Sequence, residues 1–395
     1  MKSEFIMKPL SALADIQTGP FGSQLHKDDY VQTGTPIVTV EHLGKKKFTE
    51  QNLPCVSDAD KERLSKYTLR EGDVVFSRVG SVDRCSYVSD EYDGWMFSGR
   101  CLRVRPLIEI DSQYLYYYFT LESTKQFVRG IATGATMPSI NTKFMGEVPV
   151  TYPPIENQRK IASVLSALDD KIELNNKINN NLEQQAQAIF SNEFLTLETL
   201  PDSWKQASLI DIADYRNGLA MQKYRPTADE TGIPVLKIKE LRQGCCDDNS
   251  ELCSPNIKSE YIIRDGDVIF SWSGSLLVDF WCDGICGLNQ HLFKVTSNKY
   301  DKWFYYAWTK HHLNRFIAVA TDKATTMGHI KRDELSKANV LIPNETDYNR
   351  IGTLLQPIYD LIIANRIENK NLAKLRDTLL PKLMSGELDV SNIDL

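Results

Sequence analysis

The side chains best placed to do recognition chemistry stand at the end of two nearly identical stretches. GDVVFS at 72–77 is followed by Arg78-Val79 and then Gly80-Ser81; GDVIFS at 266–271 is followed by Trp272-Ser273 and then Gly274-Ser275. A strand that ends in a glycine loop carrying one variable pair offers a reading loop. An arginine fork matches the O6/N7 edge of guanine. A tryptophan can stack or pack against a base or sugar. Ordinary loop or core packing explains both residues equally simply. If the chain reads DNA, the loop residues Ser77, Arg78, Gly80 and Ser81, with Ser271, Trp272, Ser273 and Gly274, are candidates for the contact. Gly99-Arg100 stands opposite Gln290-His291 as a second variable pair rich in donors, which adds Arg100, Gln290 and His291. A third segment reads ATGATMPSI in one half and ATDKATTMGHI in the other. Its small hydroxyl and basic residues Thr133, Thr136, Lys323, Thr325 and Thr326 suit phosphate or base-edge contacts, or a turn that simply feeds a helix. Lys45-Lys46-Lys47 could meet phosphate, but a short charge run is also the mark of a solvated loop.

Reactive constellations are scarce. The chain has no GxxxxGK[ST], no GxGxxG, no HExxH and no paired CxxC, and Tyr152-Pro153-Pro154-Ile155 lacks the polar first residue of an adenine methyltransferase motif. Glu368-x-Lys370 resembles a nuclease element only in spacing and falls on a helix face where charge is expected. Eight scattered cysteines suggest reduced thiols rather than disulfides, and no metal or cofactor is expected. The net charge of −6, from 46 basic and 52 acidic groups, is evenly spread. That excludes a domain that grips nucleic acid by bulk charge alone. No apolar run approaches the ~18 residues of a membrane span, so a cytoplasmic protein is the default expectation.

The elements that position these loops repeat. Residues 67–81 and 261–275 agree at nine of fifteen positions, with a constant offset of 194. LADIQTG matches IADYRNG, GTPIVTVEHL matches GIPVLKIKEL and YLYYYF matches WFYYAW, in the same order in each half. This is a tandem duplication of a domain-sized unit. PIVTV and PVLKI read as strands, GDVVFS and GDVIFS as a turn into a buried strand, and the aromatic blocks as core helices. The fold class is α+β, with two similar globular domains at 1–153 and 196–343 and helical connectors at 154–195 and 344–395.

The connectors carry a heptad pattern. Seam positions fall at Ile161, Leu165, Leu168, Ile172, Asn175, Asn179, Leu182, Ala186 and Ile189. The second connector repeats them 190 residues later, at Ile351, Leu355, Ile358, Ile362, Asn365, Asn369, Leu372, Arg376 and Leu379. Matched seams in one chain should pair, with the asparagines setting register. Antiparallel pairing lets the asparagines meet and gives the molecule a pseudo-twofold axis. Pro381 should stop the second helix. Each seam spans about 43 Å at 1.5 Å per residue, which would serve as a ruler for two half-sites roughly one DNA turn apart.

At this point the residues resemble a known family. Tandem GDV[VI]FSxxGS units, the connector PPIENQRKIASVLSALDDKIELNNKINNNLEQQAQAIF and the tail LLPKLMSGEL are similar to the specificity subunits of type I restriction–modification systems, along essentially the whole chain. The segment Thr346–Arg350 departs from the family's acidic-Gln-basic run. The resemblance implies a noncatalytic subunit. It would have two target-recognition domains, each reading half of a bipartite sequence in double-stranded DNA. Its helices would dock two adenine methyltransferase (modification) subunits, and motor–nuclease restriction subunits would join them. The docking candidates are Gln158, Arg159 and Lys160 on the first connector, with Lys382, Leu383 and Met384 in the tail, the last two expected to be exposed. A coiled-coil scaffold joining two protein-binding domains is the competing reading.

Overall fold

The computed structural model describes residues 5–322, 330 and 332–391, and these fall into two compact units: Met1–Asp170 with Lys374–Leu395, and Lys171–Ala373. Lys323, Thr325 and Thr326 lie outside the described residues.

In the first unit the main sheet orders its strands Ala14–Thr18, Cys101–Pro106, Val74–Ser77, Cys85–Tyr87, all antiparallel. A second sheet orders Cys55–Val56, Thr35–Val38, Met96–Phe97, the last pair parallel, and a ribbon joins Ile6–Pro9 to Pro149–Tyr152. Alternate residues of the GDVVFS strand face different cores. Val74 and Phe76 lie under the aromatic helix Ser112–Thr120, with Phe76 edge-to-face on Phe119 at 4.7 Å, while Val75 packs with Ile37, Val38 and Phe97. Burial on both faces is why the strand reads as a continuous apolar run. Asp111 starts the helix by accepting a hydrogen bond from the Tyr114 N–H at 2.9 Å.

The second unit repeats this plan. Its main sheet orders Asp214–Asn217, Leu292–Thr296, Val268–Ser271, Leu277–Phe280, beside a sheet of Leu252–Cys253, Ile233–Leu236, Cys286–Leu288 and Ile262–Ile263. A ribbon joins Lys205–Ser208 to Asn339–Ile342, and Lys302–His311 is the aromatic helix. Val268 and Phe270 again lie under that helix, and Ile269 faces the other core. His312 closes it, buried, its ring Nε2 2.8 Å from the Asn339 carbonyl; burial holds the imidazole near pKa 4 and therefore neutral.

The connectors are the helices Ile155–Phe190 and Glu345–Met384. Within each unit the stretches that they contribute run antiparallel. In the first unit the Arg376 guanidinium donates to Asp169 at 2.6 Å, and Tyr117 donates to the other carboxylate oxygen at 2.6 Å. In the second, Asn175 donates to Asn369 at 2.8 Å, Asn365 donates to Asn179 at 2.9 Å, and Arg350 forks onto Glu193. The seam asparagines thus pair as their spacing implies. Asn365→Leu should cost the second unit about 1–3 kcal/mol, because Asn179 loses its donor inside the seam. Adding Asn179→Leu should recover most of it, and melting of the two single variants and the double variant checks this.

One expectation is corrected. Pro381 does not end the second helix, which runs on to Met384. A proline removes one donor near a terminus where the last turn is already loosening. The chain turns at Gly386, with φ +72°, whose N–H donates to the Leu383 carbonyl at 3.2 Å. Among the described residues no helix is long and apolar enough to cross a membrane.

Candidate nucleic-acid interface

Main-chain hydrogen bonds gather the variable segments of the first unit. Ser77 is buried at the strand end, and its hydroxyl donates to the Val79 carbonyl at 2.7 Å. That bond bends the chain into a loop, and Gly80 completes the turn at φ +75°, a conformation that disfavours any side chain. The Arg78 N–H donates to Arg100 O at 2.8 Å, Gly80 N–H to Pro138 O at 2.8 Å, and Ile140 N–H to Arg78 O at 3.0 Å. Three segments distant in sequence are thereby stitched side by side. Thr133 exchanges two main-chain bonds with Ser139, of 2.9 and 2.7 Å, which presents exposed Thr136 and Met137 at the tip between them. Ser81 and Arg100 are exposed and Arg78 is half-buried.

Arg78 is held from two sides. Its Nη1 donates to the Gly99 carbonyl at 3.2 Å, and its guanidinium lies 5.7 Å above the Phe21 ring. The buried Nε has no partner, and among the described residues Nη2 makes no hydrogen bond. The guanidinium is thus fixed in direction, with Nη2 still unbonded. Phe21 is 60% exposed. Sequence reasoning missed it, although Pro20-Phe21 breaks the repeat against Leu219-Ala220, the same signal that singled out the other loops. Its loop can pass only because Gly19 lacks a side chain: a Cβ there would sit 2.2 Å from the Ser98 carbonyl oxygen. Phe21, Tyr30, Glu41 and Arg100 border a cleft of about 500 Å³.

The second unit builds the same frame with other side chains. Buried Ser271 donates to the Ser273 carbonyl at 3.2 Å, Gly274 turns at φ +64°, and Ile330 N–H donates to Trp272 O at 3.0 Å. Trp272 is half-buried, stacked on Phe293 at 5.6 Å, with its indole N–H donated to Asn217 at 3.1 Å. Ser273 is buried and lies 3.2 Å from His291 Nδ1, and Gln290 approaches the other ring nitrogen at 3.4 Å. Ser273, His291 and Gln290 form one polar chain at the loop. A Cβ on Gly218, the counterpart of Gly19, would lie 2.2 Å from the Asn289 carbonyl oxygen. Arginine and phenylalanine in one copy thus give way to tryptophan, histidine and glutamine in the other.

The docking candidates divide. Gln158 is fully buried: its amide donates to Glu109 O at 3.2 Å and Pro153 O at 2.9 Å, and its carbonyl accepts from Asp111 N–H at 2.8 Å. It is therefore not on a solvent face; it satisfies main-chain groups where the connector helix begins. Leu383 and Met384, expected to be exposed, are 4% and 3% exposed and belong to the core of the first unit, with Tyr152 and Ile161. The tail has a core after all, because it returns to the domain that opens the chain. Arg159 is exposed, near Glu156 at 3.8 Å; Lys160 donates to Ser391 O at 2.9 Å; Lys382 is half-buried, 3.7 Å from Glu387. Other charged residues are occupied. Lys46 pairs with Asp170 at 3.1 Å and Lys47 with Glu91 at 2.6 Å, Glu368 accepts from Asn175 at 2.7 Å, and Lys370 pairs with Asp283 at 3.1 Å.

A family model described as type I restriction modification DNA specificity domain matches the chain twice, over residues 2–184 and 201–375. The specificity subunit of the type I restriction enzyme MjaIX of Methanocaldococcus jannaschii is 29% identical over 307 residues, covering 71% of this chain and 70% of its own length. That of EcoKI from Escherichia coli K12 is 24% identical over 400 residues, covering 92% and 83%. The crystal structure of a type I restriction-modification system S subunit from M. genitalium superposes with a TM-score of 0.63 at 14% identity, over 97% of this chain and 96% of that one, which shows a shared fold.

Proposed function

Since the chain belongs to the family of type I restriction modification DNA specificity domains and carries that domain twice, we propose that it reads a bipartite target in double-stranded DNA, one half through the loops of each unit. The observation that carries this reading is the paired frame: Ser77 and Ser271, Gly80 and Gly274, Ile140 and Ile330 build the same turn, while the side chains mounted on it differ. A shared scaffold with diverged loops is what two unlike half-sites require. In the first unit Arg78, Arg100, Thr133 and Thr136 are the candidates for base or phosphate contact; in the second they are Gln290, His291 and the loop at Trp272–Gly274.

The reading extends to partners. Adenine methyltransferase subunits would dock on the connector helices, and motor–nuclease subunits would join that assembly in the cytoplasm. This chain would contribute no catalytic group. Leu354 and Leu361, exposed one heptad apart on the second connector helix, support docking there. Arg159, Lys160 and Lys382 add polar contacts. The near-neutral charge of the chain also suits a subunit whose partners supply much of the phosphate contact.

The test is selection from random duplexes by the chain purified with the subunits that it binds. Enrichment of two unlike short half-sites with an unread spacer is the expected result. Capture of protein partners without any DNA preference would sink the DNA reading in favour of a scaffold.

A further inference from the structure

A basic cleft of about 420 Å³ opens in the first unit beside the strand that leaves the reading loop. Arg103 and Arg105 project from Cys101–Pro106, the strand that begins next to Arg100. Lys66 and Arg70 face them from the segment leading into Val74–Ser77, and Asp15 and Gln17 come from the neighbouring strand. Arg105 is neutralised by buried Asp73, and Arg103 shares Asp15, which is largely exposed. That leaves four cations against two carboxylates. Arg103 is only 3% exposed, yet its Nε lacks a partner, and burial with the adjacent Arg105 disfavours its charge. Among the described residues Arg70 joins no ion pair, and the Lys66 ammonium has only the Tyr67 ring, at 4.8 Å.

The second copy shows a version of this site with more of its cations paired. Strand register matches Arg103 with Lys294 and Gln17 with Arg216, and the repeat matches Lys66 with Glu260 and Arg105 with Thr296. There Lys294 pairs with Asp267 at 2.7 Å, and Arg216 pairs with Glu260 at 2.8 Å and lies 3.6 Å from Asp214. Counting Arg264, the counterpart of Arg70, and Arg332, 3.7 Å from Asp214, four cations stand against three carboxylates. One backbone thus carries carboxylate partners for most of its cations in one copy and a larger cationic excess around a buried guanidinium in the other.

We propose that the Lys66–Arg70–Arg103 cleft binds a phosphate group of the DNA backbone flanking the half-site read by the first unit. This rests on the reading of the chain as a DNA reader and adds a contact that the second unit lacks. A phosphate would pair with exposed Lys66 and Arg70 at the mouth of the cleft and counter the charge that Arg103 adds behind them. Arg103 follows Arg100 by three residues, which puts the cleft about 10 Å along the chain from that loop. The contact would contribute affinity and salt dependence but no sequence preference.

The experiment uses the full chain with its bound subunits, its selected duplex, and the exposed-site variants Lys66→Glu and Arg70→Gln. Lys66→Glu installs the residue that the second copy carries, so folding should be unaffected. In each variant the slope of log affinity against log salt should become shallower by about 0.9, the share of a single phosphate, with the preferred sequence unchanged. In a second arm, inorganic phosphate should raise the melting temperature of the wild type and do so less for both variants. Phosphate stabilisation without a slope change would assign the cleft to a free anion and overturn the DNA contact. Wild-type slopes in both variants, together with variants that phosphate stabilises as much as it does the wild type, would overturn the site while leaving the DNA reading intact. A wild type that binds no duplex would overturn both.

Discussion

Asp73→Ala should destabilise the first unit by about 3 kcal/mol, the low end of the cost of breaking a buried ion pair. The Asp73 side chain is 1% exposed; it accepts from Arg105 Nε and Nη2 at 2.7 Å each, and from the Arg70 N–H at 2.8 Å. Removal leaves Arg105 with only the Thr68 carbonyl, at 3.1 Å. The low end applies because the Arg105 side chain is itself partly exposed. For a unit of this size the melting temperature should fall by roughly 6–12 °C. Asp73→Asn should cost less, since the amide oxygen can still accept from Arg70. The measurement is thermal unfolding of the full chain with each variant. A loss below about 0.5 kcal/mol, the size of an ordinary surface change, would mean that the Gly-Asp of the repeated stretch is not the frame that holds the strand and its loop. Asp267 holds the same turn in the second unit through the Arg264 N–H at 2.8 Å, with Lys294 in place of the arginine.

Arg78→Ala should lower discrimination at one base pair of one half-site by about 1–3 kcal/mol, a factor of roughly 5 to 150, and leave the other half-site unaffected. Gly99 and Phe21 fix the guanidinium, so its terminal nitrogens are held in a set direction. Arg78→Lys is the informative partner variant. It keeps the charge, so sequence-independent affinity should stay near wild type, while the bidentate match disappears. Competition binding against duplexes with single substitutions reads both quantities. Equal losses across all sequences would reduce Arg78 to a phosphate contact, and no loss would leave it as a prop for Phe21 and Gly99.

These two residues show how the sequence could and could not be read. The repeat at offset 194 exposed the strand and its loop because the same two-faced burial is demanded twice, of Val74, Val75 and Phe76 and of Val268, Ile269 and Phe270. Heptad spacing located the asparagine seam, since only paired helices tolerate Asn175, Asn179 and their counterparts at such positions. Among the described residues, the variable ones fell on loops that the structure gathers in space. Burial was harder to read. Gln158 looked like a solvent-facing polar residue because nothing local reveals that three main-chain groups need it. Leu383 and Met384 follow a proline and looked stranded; their core is built from residues more than two hundred positions earlier. The cleft at Arg103 stayed hidden because Lys66 and Arg103 are 37 positions apart and meet only through strand pairing. Phe21 was visible by the rule that found Arg78, applied one loop too few times.

The most direct test of the central claim is a map of methylated adenines across the genome of the cell that carries this gene, taken with and without the gene and again with Arg78→Ala. The account predicts that one bipartite motif loses its methylation on deletion, and that Arg78→Ala relaxes one half of that motif and leaves the other half and the spacer as they were. An adenine map identical in all three cells, with the chain expressed and copurifying with the proposed methyltransferase subunits, would contradict it.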